Sequence, residues 1–369
     1  MQIYLAGGAV RDLLLGNTII DRDYLVTGVT QKEFEQKHPS AQLVGRAFPI
    51  YLIDKQEFSF PRGESINEEL LSRDLTVNSL LLDENGDLYC HPKALEDLKS
   101  KTLRPASQQS FMDDPLRVFR AARFAARFPD FSIHPSLIDT MQQVAKAGLL
   151  DSVFADRIGQ ETVKALSAPR PGNYLRLLTK SNCLAPWFEE FLAAEAIPAG
   201  PPAYHDTNVI EHTCRIMDKL AGDPLAAWMG LCHDLGKTLT PTSDLPKHHG
   251  HDYAGVTIAK NLTKRLRLSN VYVAGGAIAS KWHMIGGQYT QLRPGTRVDL
   301  LMALHLSDTF NAFFSLVKAD QGTDYSEIAK RDLQTILATT LPPEWQNRGR
   351  ESGIRLRELR AGKINRKPK

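Results

Sequence analysis

Two sets of residues in this chain of 369 have the types and spacing that chemistry on phosphates requires. The first lies near the start. Gly7 and Gly8 follow the short apolar run Ile3 to Leu5 and let backbone N–H groups approach a phosphate where a helix begins. After twelve intervening residues comes Asp21-Arg22-Asp23, followed by Tyr24-Leu25-Val26. On a strand, residues two apart share a face. Asp21 and Asp23 then present two carboxylates on one edge, the ligands Mg²⁺ takes when it also holds nucleotide phosphates. Each half has a plainer reading. Any tight strand-to-helix turn takes glycines, and a polar strand end carries solvated acids.

The second set is in the back half. His212, the doublet His233-Asp234 and Asp320 run in the order His, His-Asp, Asp. Imidazoles with carboxylates suit a divalent metal that generates hydroxide and polarises a phosphoryl oxygen. His248, His249, His251 and His283 are further candidate ligands or phosphate contacts, and eight of the eleven histidines fall between His205 and His305. A lone His-Asp pair on a helix is ordinarily structural; the ordered series within a histidine cluster points to a metal.

Between them, Asp113 to Arg127 carries Asp114, Arg117, Arg120 and Arg123 at three-residue spacing. Asp114-Pro115 predicts an N-cap followed by proline in the first turn. Asp114 and Arg117 on one face offer acceptors and fixed donors to the edge of a base, and Arg120 and Arg123 can neutralise phosphates. A capped helix with a solvated arginine face is the alternative.

The elements that must position these residues follow from the apolar pattern. Ile3 to Leu5, Tyr24 to Val26, Ile50 to Ile53 and Leu80 to Leu82 read as strands among short helices. From Asp114 the texture is helical, with helices expected around 137–147, 156–166, 174–178 and 208–220. The stretch Ala196-Ile-Pro-Ala-Gly-Pro-Pro-Ala203 is the strongest break.

Composition excludes several classes. Apolar residues at 42% and charged residues at 24% rule out wholesale disorder. No apolar run approaches the roughly 18 residues of a membrane span, and the first residues have neither a basic nor a long apolar leader, so no membrane partner or secretory signal is expected. Cys90, Cys183, Cys214 and Cys232 are scattered with no Cys-x-x-Cys pair. That excludes a disulfide framework and a four-cysteine zinc site, and fits a reducing, cytoplasmic location. Net charge is only +3, yet residues 347–369 hold nine basic and two acidic side chains. They read either as a solvated, frayed helix or as a phosphate-backbone contact.

Taken in order, the Gly-Gly and Asp-x-Asp set, Arg73-Asp-Leu-Thr-Val-Asn-Ser79, the Asp113 to Arg127 segment, and Arg157 with Glu161 resemble the nucleotidyltransferase superfamily. Within it they resemble the bacterial tRNA CCA-adding enzymes of class II, which are related to the poly(A) polymerases. The likeness spans most of residues 1–170. It implies an α+β nucleotidyltransferase head with a small mixed sheet over 1–100, an all-α neck and body over 101–200, an all-α HD phosphohydrolase domain over 201–325 and a basic tail over 326–369. The implied reaction is addition of CCA to the 3′ end of tRNA from CTP and ATP. Asp21 and Asp23 are then catalytic ligands of Mg²⁺, with Gly8, Arg11, Arg73, Asp114, Arg117, Arg120 and Arg123 binding nucleotide. The histidine series resembles the HD domain appended to some of these enzymes. It implies catalytic His233 and Asp234, with His212 and Asp320 completing a site for Mg²⁺ or a transition metal that hydrolyses small 2′- or cyclic phosphates. Monomer and homodimer both stay open.

The sequence departs from the family in places. Ser72 replaces a second arginine. The segment from Asp54 to Ser72 is shorter than in most relatives, which raises the alternative of an enzyme adding only CC, and Glu57 is a possible third carboxylate there. His91-Pro-Lys-Ala-Leu-Glu-Asp-Leu98 resembles the head-to-neck hinge, with His91 and Ala94 in place of aspartate and glycine. The more basic signature of poly(A) polymerases is missing after Gly45-Arg46. An RNA-binding HD hydrolase with an inactive head is the remaining alternative.

Overall fold

A computed structural model describes residues 1–44 and 50–364. The chain forms two compact units, one of residues 1–153 with 180–183, the other of 154–179 with 184–369. Gly45-Arg46 and the basic residues Arg366, Lys367 and Lys369 lie outside the described residues.

The first unit is built on a seven-stranded sheet: β1 (Gln2–Ala6), β2 (Asp23–Thr27), β3 (Gln42–Val44), β4 (Ile50–Ile53), β5 (Gln56–Ser59), β6 (Leu80–Leu82) and β7 (Leu88–Cys90). Their spatial order is β3-β4-β5-β2-β1-β6-β7. Only the β2–β5 pair is parallel, so the sheet is mixed, as expected. In β2 the side chains of Leu25 and Val26 point to opposite faces, and both are fully buried. Leu25 packs with Tyr4, Ala6, Leu70 and Leu81 on one face. Val26 packs with Phe34, Tyr51 and Phe58 on the other. The two central strands are thus fixed by cores on both sides, which holds their polar ends in place.

The four strands read from apolar runs form where expected, β2 starting at Asp23, so that Asp21 precedes the strand. The helical segments also form, as Pro135–Lys146, Ala155–Leu166, Gly172–Lys180 and Val209–Lys219. The neck is not purely helical: Thr102–Leu103 and Ser132–Ile133 pair as a small parallel sheet.

Asp114 does not cap the helix that follows. It ends the helix Gln108–Asp113, and a tight turn, with Arg117 N–H donating to the Asp114 carbonyl at 3.0 Å, intervenes before the helix Arg117–Arg127. The residue that flanks this helix is Leu116, already in helical conformation at φ −57°, ψ −23°, and no side chain caps the helix.

The second unit is helical. The proline-rich stretch 196–203 is folded into it: Arg176 on Gly172–Lys180 reaches Glu211 at 2.8 and 2.9 Å and Asp218 at 2.7 Å on Val209–Lys219. The two helices come close because Gly172 has no side chain, where a Cβ would lie 2.4 Å from the Cys214 carbonyl oxygen. Most of the basic end is helical, over Arg350–Ile364. Helix Arg350–Ile364 is tied to helix Pro294–Leu306 by Arg357, whose Nε and Nη2 each reach Asp299 at 2.7 Å.

Candidate active sites

In the first unit, β1 ends at Ala6 and the chain turns at Gly7 with φ 64°, ψ −121°, a conformation open to glycine. Its N–H donates to the Leu80 carbonyl at 2.9 Å, tying the turn to β6. Gly8 then starts the helix Gly8–Leu14. Beneath it, Arg11 is 2% exposed, bonded to Asp12 at 2.9 Å and to the Asn78 side-chain oxygen, with its guanidinium 4.8 Å from the Phe128 ring centre.

The Arg73-to-Ser79 segment forms the floor. Asp74 is buried, and Arg120 clasps it through Nε at 2.9 Å and Nη2 at 2.6 Å. Asn78 Nδ2 and the Leu75 N–H donate to its other oxygen at 2.9 and 2.8 Å. Arg117 donates to the Arg73 carbonyl at 3.0 Å, and Arg73 pairs with Glu69 at 3.1 Å. With the Arg11–Asn78 bond, three segments distant in sequence are locked together. Burial pushes the Asp74 carboxyl up, but Arg120, Asn78 and Arg117 together hold it well below the usual carboxylate range. Burial brings Arg117 down to about 10, so it stays charged at neutral pH.

Asp21 and Asp23 are both exposed to solvent. Partial burial and then the Asp21 charge push the Asp23 carboxyl up, while Arg73 and Arg120 pull it down. The acidic pair and the basic floor therefore share one electrostatic environment. An all-oxygen pair suits Mg²⁺. Glu57 sits opposite Asp23 in the parallel β2–β5 register, on the same face. Asp114 stands 4.0 Å from Arg117, while Arg123 lies over the Phe124 ring at 4.2 Å.

In the second unit, three helices deliver a histidine–carboxylate cluster. His212 comes from Val209–Lys219, His233 and Asp234 from the end of Pro224–Cys232, and Asp320 from Phe310–Gln321. His212 Nε2 lies 3.2 Å from His233 Nε2, 3.4 Å from Asp234 Oδ2 and 3.3 Å from Asp320 Oδ1. His233 Nε2 is 3.2 Å from Asp234 Oδ2, and its Nδ1 donates to the Gly230 carbonyl at 2.7 Å, which turns the Nε2 lone pair toward the cluster. Burial raises Asp234, but His233 and Lys237 hold its carboxyl well below the usual range; Asp320 is likewise held down, against burial, by His212 and His233. Ionised carboxylates and converging imidazoles form a donor set that fits a divalent transition metal.

Lys237 and His205 were not anticipated here. Lys237 is buried and donates to Asp234 Oδ2 at 2.6 Å and to the Ala199 carbonyl at 2.7 Å. His205 packs edge-on against His212 and lines a cavity of about 740 Å³ with Pro198, Gly200 and Glu211. The Gly236-Lys237 dipeptide after His-Asp was the available signal. In the first unit Asp74 was also overlooked, its sole clue being that it adjoins Arg73.

A family model described as "Poly A polymerase head domain" matches residues 3–61. One described as "Probable RNA and SrmB-binding site of polymerase A" matches 130–195, and "HD domain" matches 203–299. The multifunctional CCA protein of Hahella chejuensis is 33% identical over 348 residues, 87% of this chain and 82% of that one. Its counterpart in Shewanella frigidimarina is 36% identical over 328 residues, 81% and 78% of the two chains. Among solved structures, the Bacillus stearothermophilus CCA-adding enzyme in complex with CTP aligns with TM-score 0.69 at 22% identity, covering 98% of this chain and 88% of that one. The Thermotoga maritima CCA-adding enzyme complexed with tRNA aligns with TM-score 0.64 at 19% identity, covering 100% and 88%.

Proposed function

Because the chain belongs to the multifunctional CCA protein family, tRNA nucleotidyltransferases that carry an HD domain, we propose that it adds C, C and A stepwise to the 3′ end of tRNA from CTP and ATP. The observation that carries this reading is the Asp23 carboxylate standing within the field of Arg73 and Arg120, above a floor locked by Asp74. Mg²⁺ held by Asp21 and Asp23 would supply the charge that activates the primer 3′-OH and steadies the triphosphate. Arg73, Arg120 and Arg123 neutralise the phosphates and touch the sugar, and Gly8 and Arg11 complete the cradle. Asp114 and Arg117 read the base edge with acceptors from one and a planar donor fork from the other. The tRNA backbone would lie on residues 101–200 and on the basic helix Arg350–Ile364, in a salt-sensitive complex.

The HD domain, over 201–325, is the phosphohydrolase. His212, His233, Asp234 and Asp320 hold its divalent metal, which would supply hydroxide for attack on 2′-phosphates, 2′,3′-cyclic phosphates and other small phosphate esters. Among the described residues no helix is long and apolar enough to cross a membrane, and a cytoplasmic location follows from the tRNA substrate.

The test is incorporation of labelled CTP into tRNA lacking its 3′ end. Asp21→Ala and Asp23→Ala each lose it; undiminished incorporation by both variants would sink the mechanism. The same assay with tRNA ending in CC and ATP alone decides the last step, since efficient extension by one nucleotide rejects a CC-only enzyme.

A further inference from the structure

Residues 62–65 are fastened to the helix Ile66–Leu71 that follows them. Ser65 Oγ accepts the Glu68 N–H at 3.2 Å, Glu68 Oε2 accepts the Glu64 N–H at 2.7 Å, and Glu69 Oε2 accepts the Arg62 N–H at 3.0 Å. Gly63 lets the turn lie this close, since a Cβ there would meet the Glu68 Cβ at 2.5 Å.

Glu69 is 4% exposed, and its other oxygen, Oε1, pairs with Arg73 Nη2 at 3.1 Å. One buried carboxylate therefore sets both the backbone at Arg62 and the guanidinium of Arg73. The Arg62 side chain comes to the same place. Its Nη1 donates to the Ser72 carbonyl at 3.2 Å, one peptide before the Arg73 carbonyl that takes Arg117 Nη1 at 3.0 Å. Three guanidiniums thus gather around residues 72 and 73. Burial lowers Arg73 and Arg117 most, and the next largest effect lowering each is the positive charge of Arg62.

The fastening of residues 62–65 runs through backbone N–H groups and the Ser65 hydroxyl, without the Arg62 side chain, which is exposed to solvent. A neutral base edge can be met by a neutral donor. A third guanidinium brought beside two others is favoured by an anion, whose charge offsets their repulsion. Arg73 indicates which anion. Its Nη1 lies 3.0 Å from where a Cβ of Gly7 would stand, at the turn that the proposed function gives to the phosphates.

We propose that Arg62 is a further binding residue for the triphosphate of the incoming nucleotide, acting beside Arg73. This rests on the reading of the first unit as the site of nucleotide transfer. The side chain would touch the phosphates that leave as pyrophosphate, so it acts on nucleotide binding and on product binding alike.

With the full-length protein, CMP transfer to tRNA lacking its 3′ end is measured against CTP concentration and against added pyrophosphate. Arg62→Ala is expected to raise KM for CTP about ten-fold and to weaken inhibition by pyrophosphate by a similar factor, with kcat within about two-fold of wild type. Arg62→Lys keeps the charge and is expected to recover part of the loss. Arg62→Gln can still donate to the Ser72 carbonyl but carries no charge, and is expected to behave as Arg62→Ala does. Full recovery by Arg62→Gln overturns the proposal, because the side chain then only supports the Ser72 carbonyl. A raised KM with unchanged pyrophosphate inhibition overturns it as well, since the contact is then not to phosphate. Wild-type KM in Arg62→Ala overturns the inference and leaves the proposed function standing. A wild type that incorporates no CTP overturns both.

Discussion

Arg120 holds Asp74 with two donors on a single oxygen, at 2.9 and 2.6 Å, across 46 positions of sequence. The pair joins the Arg73-to-Ser79 floor to the helix that also carries Arg117 and Arg123. Asp74 is buried while Arg120 is 37% exposed, so water solvates the arginine left behind and removing the Asp74 charge costs about 1–2 kcal/mol, mostly through its lost hydrogen bonds. Asp74→Asn is therefore expected to lower stability by about that amount at pH 7, read by urea unfolding.

The pH dependence of that contribution has a definite sign. Asp74 is held well below its unfolded value, so the stabilisation is present above the unfolded pKa, near 4, and is lost progressively as pH falls below it toward the folded pKa. The wild type should lose more stability than Asp74→Asn between pH 6 and pH 3.5. Equal losses in the two proteins would mean that the pair contributes nothing over that window.

Gly7 gives a second prediction. It has φ 64°, and a Cβ there would lie 3.0 Å from Arg73 Nη1. Gly7→Ala should cost about 2 kcal/mol in backbone strain and push Arg73 from its place, raising KM for CTP about ten-fold through a lost charge-assisted phosphate contact. A variant with unchanged KM would show that Arg73 binds no nucleotide phosphate.

These relations divide by how much of them a local pattern can carry. The strands of the sheet were legible because their apolar runs face cores on both sides, as Leu25 and Val26 do. The His, His-Asp, Asp series was legible as residue types in order, and the structure brings all four together. Asp114 was misread as a cap because its dipeptide with Pro115 is a common helix start, while the chain there makes a turn first. The Asp74–Arg120 pair is a tertiary fact. No spacing along the chain encodes which carboxylate faces which guanidinium.

Glu57 supplies a third test. It pairs with Asp23 in register on the parallel neighbour strand, so its carboxylate is on the face that holds the acidic pair. Glu57→Gln should lower the rate of CMP transfer about 10- to 100-fold, with a higher Mg²⁺ requirement, if it orients or joins the ligands. An unchanged Mg²⁺ dependence would leave Asp21 and Asp23 as the whole acidic site.

The last prediction concerns the independence of the two activities. The acidic pair of the transferase and the ligands of the hydrolase are in different compact units, each with its own core. Chemistry at either depends on the groups that touch its metal and substrate, and effects of substitutions without shared partners add. His233→Ala and Asp234→Ala should therefore abolish metal-dependent hydrolysis of a 2′,3′-cyclic nucleotide while CMP transfer to tRNA stays within about three-fold of wild type. Asp21→Ala should do the reverse. Both substrates are assayed on the same folded preparations, with circular dichroism to confirm that each variant keeps its helices. A large loss of CMP transfer in folded Asp234→Ala would mean that the hydrolase cluster also serves the tRNA reaction, either as part of the RNA platform or through an interface between copies of the chain.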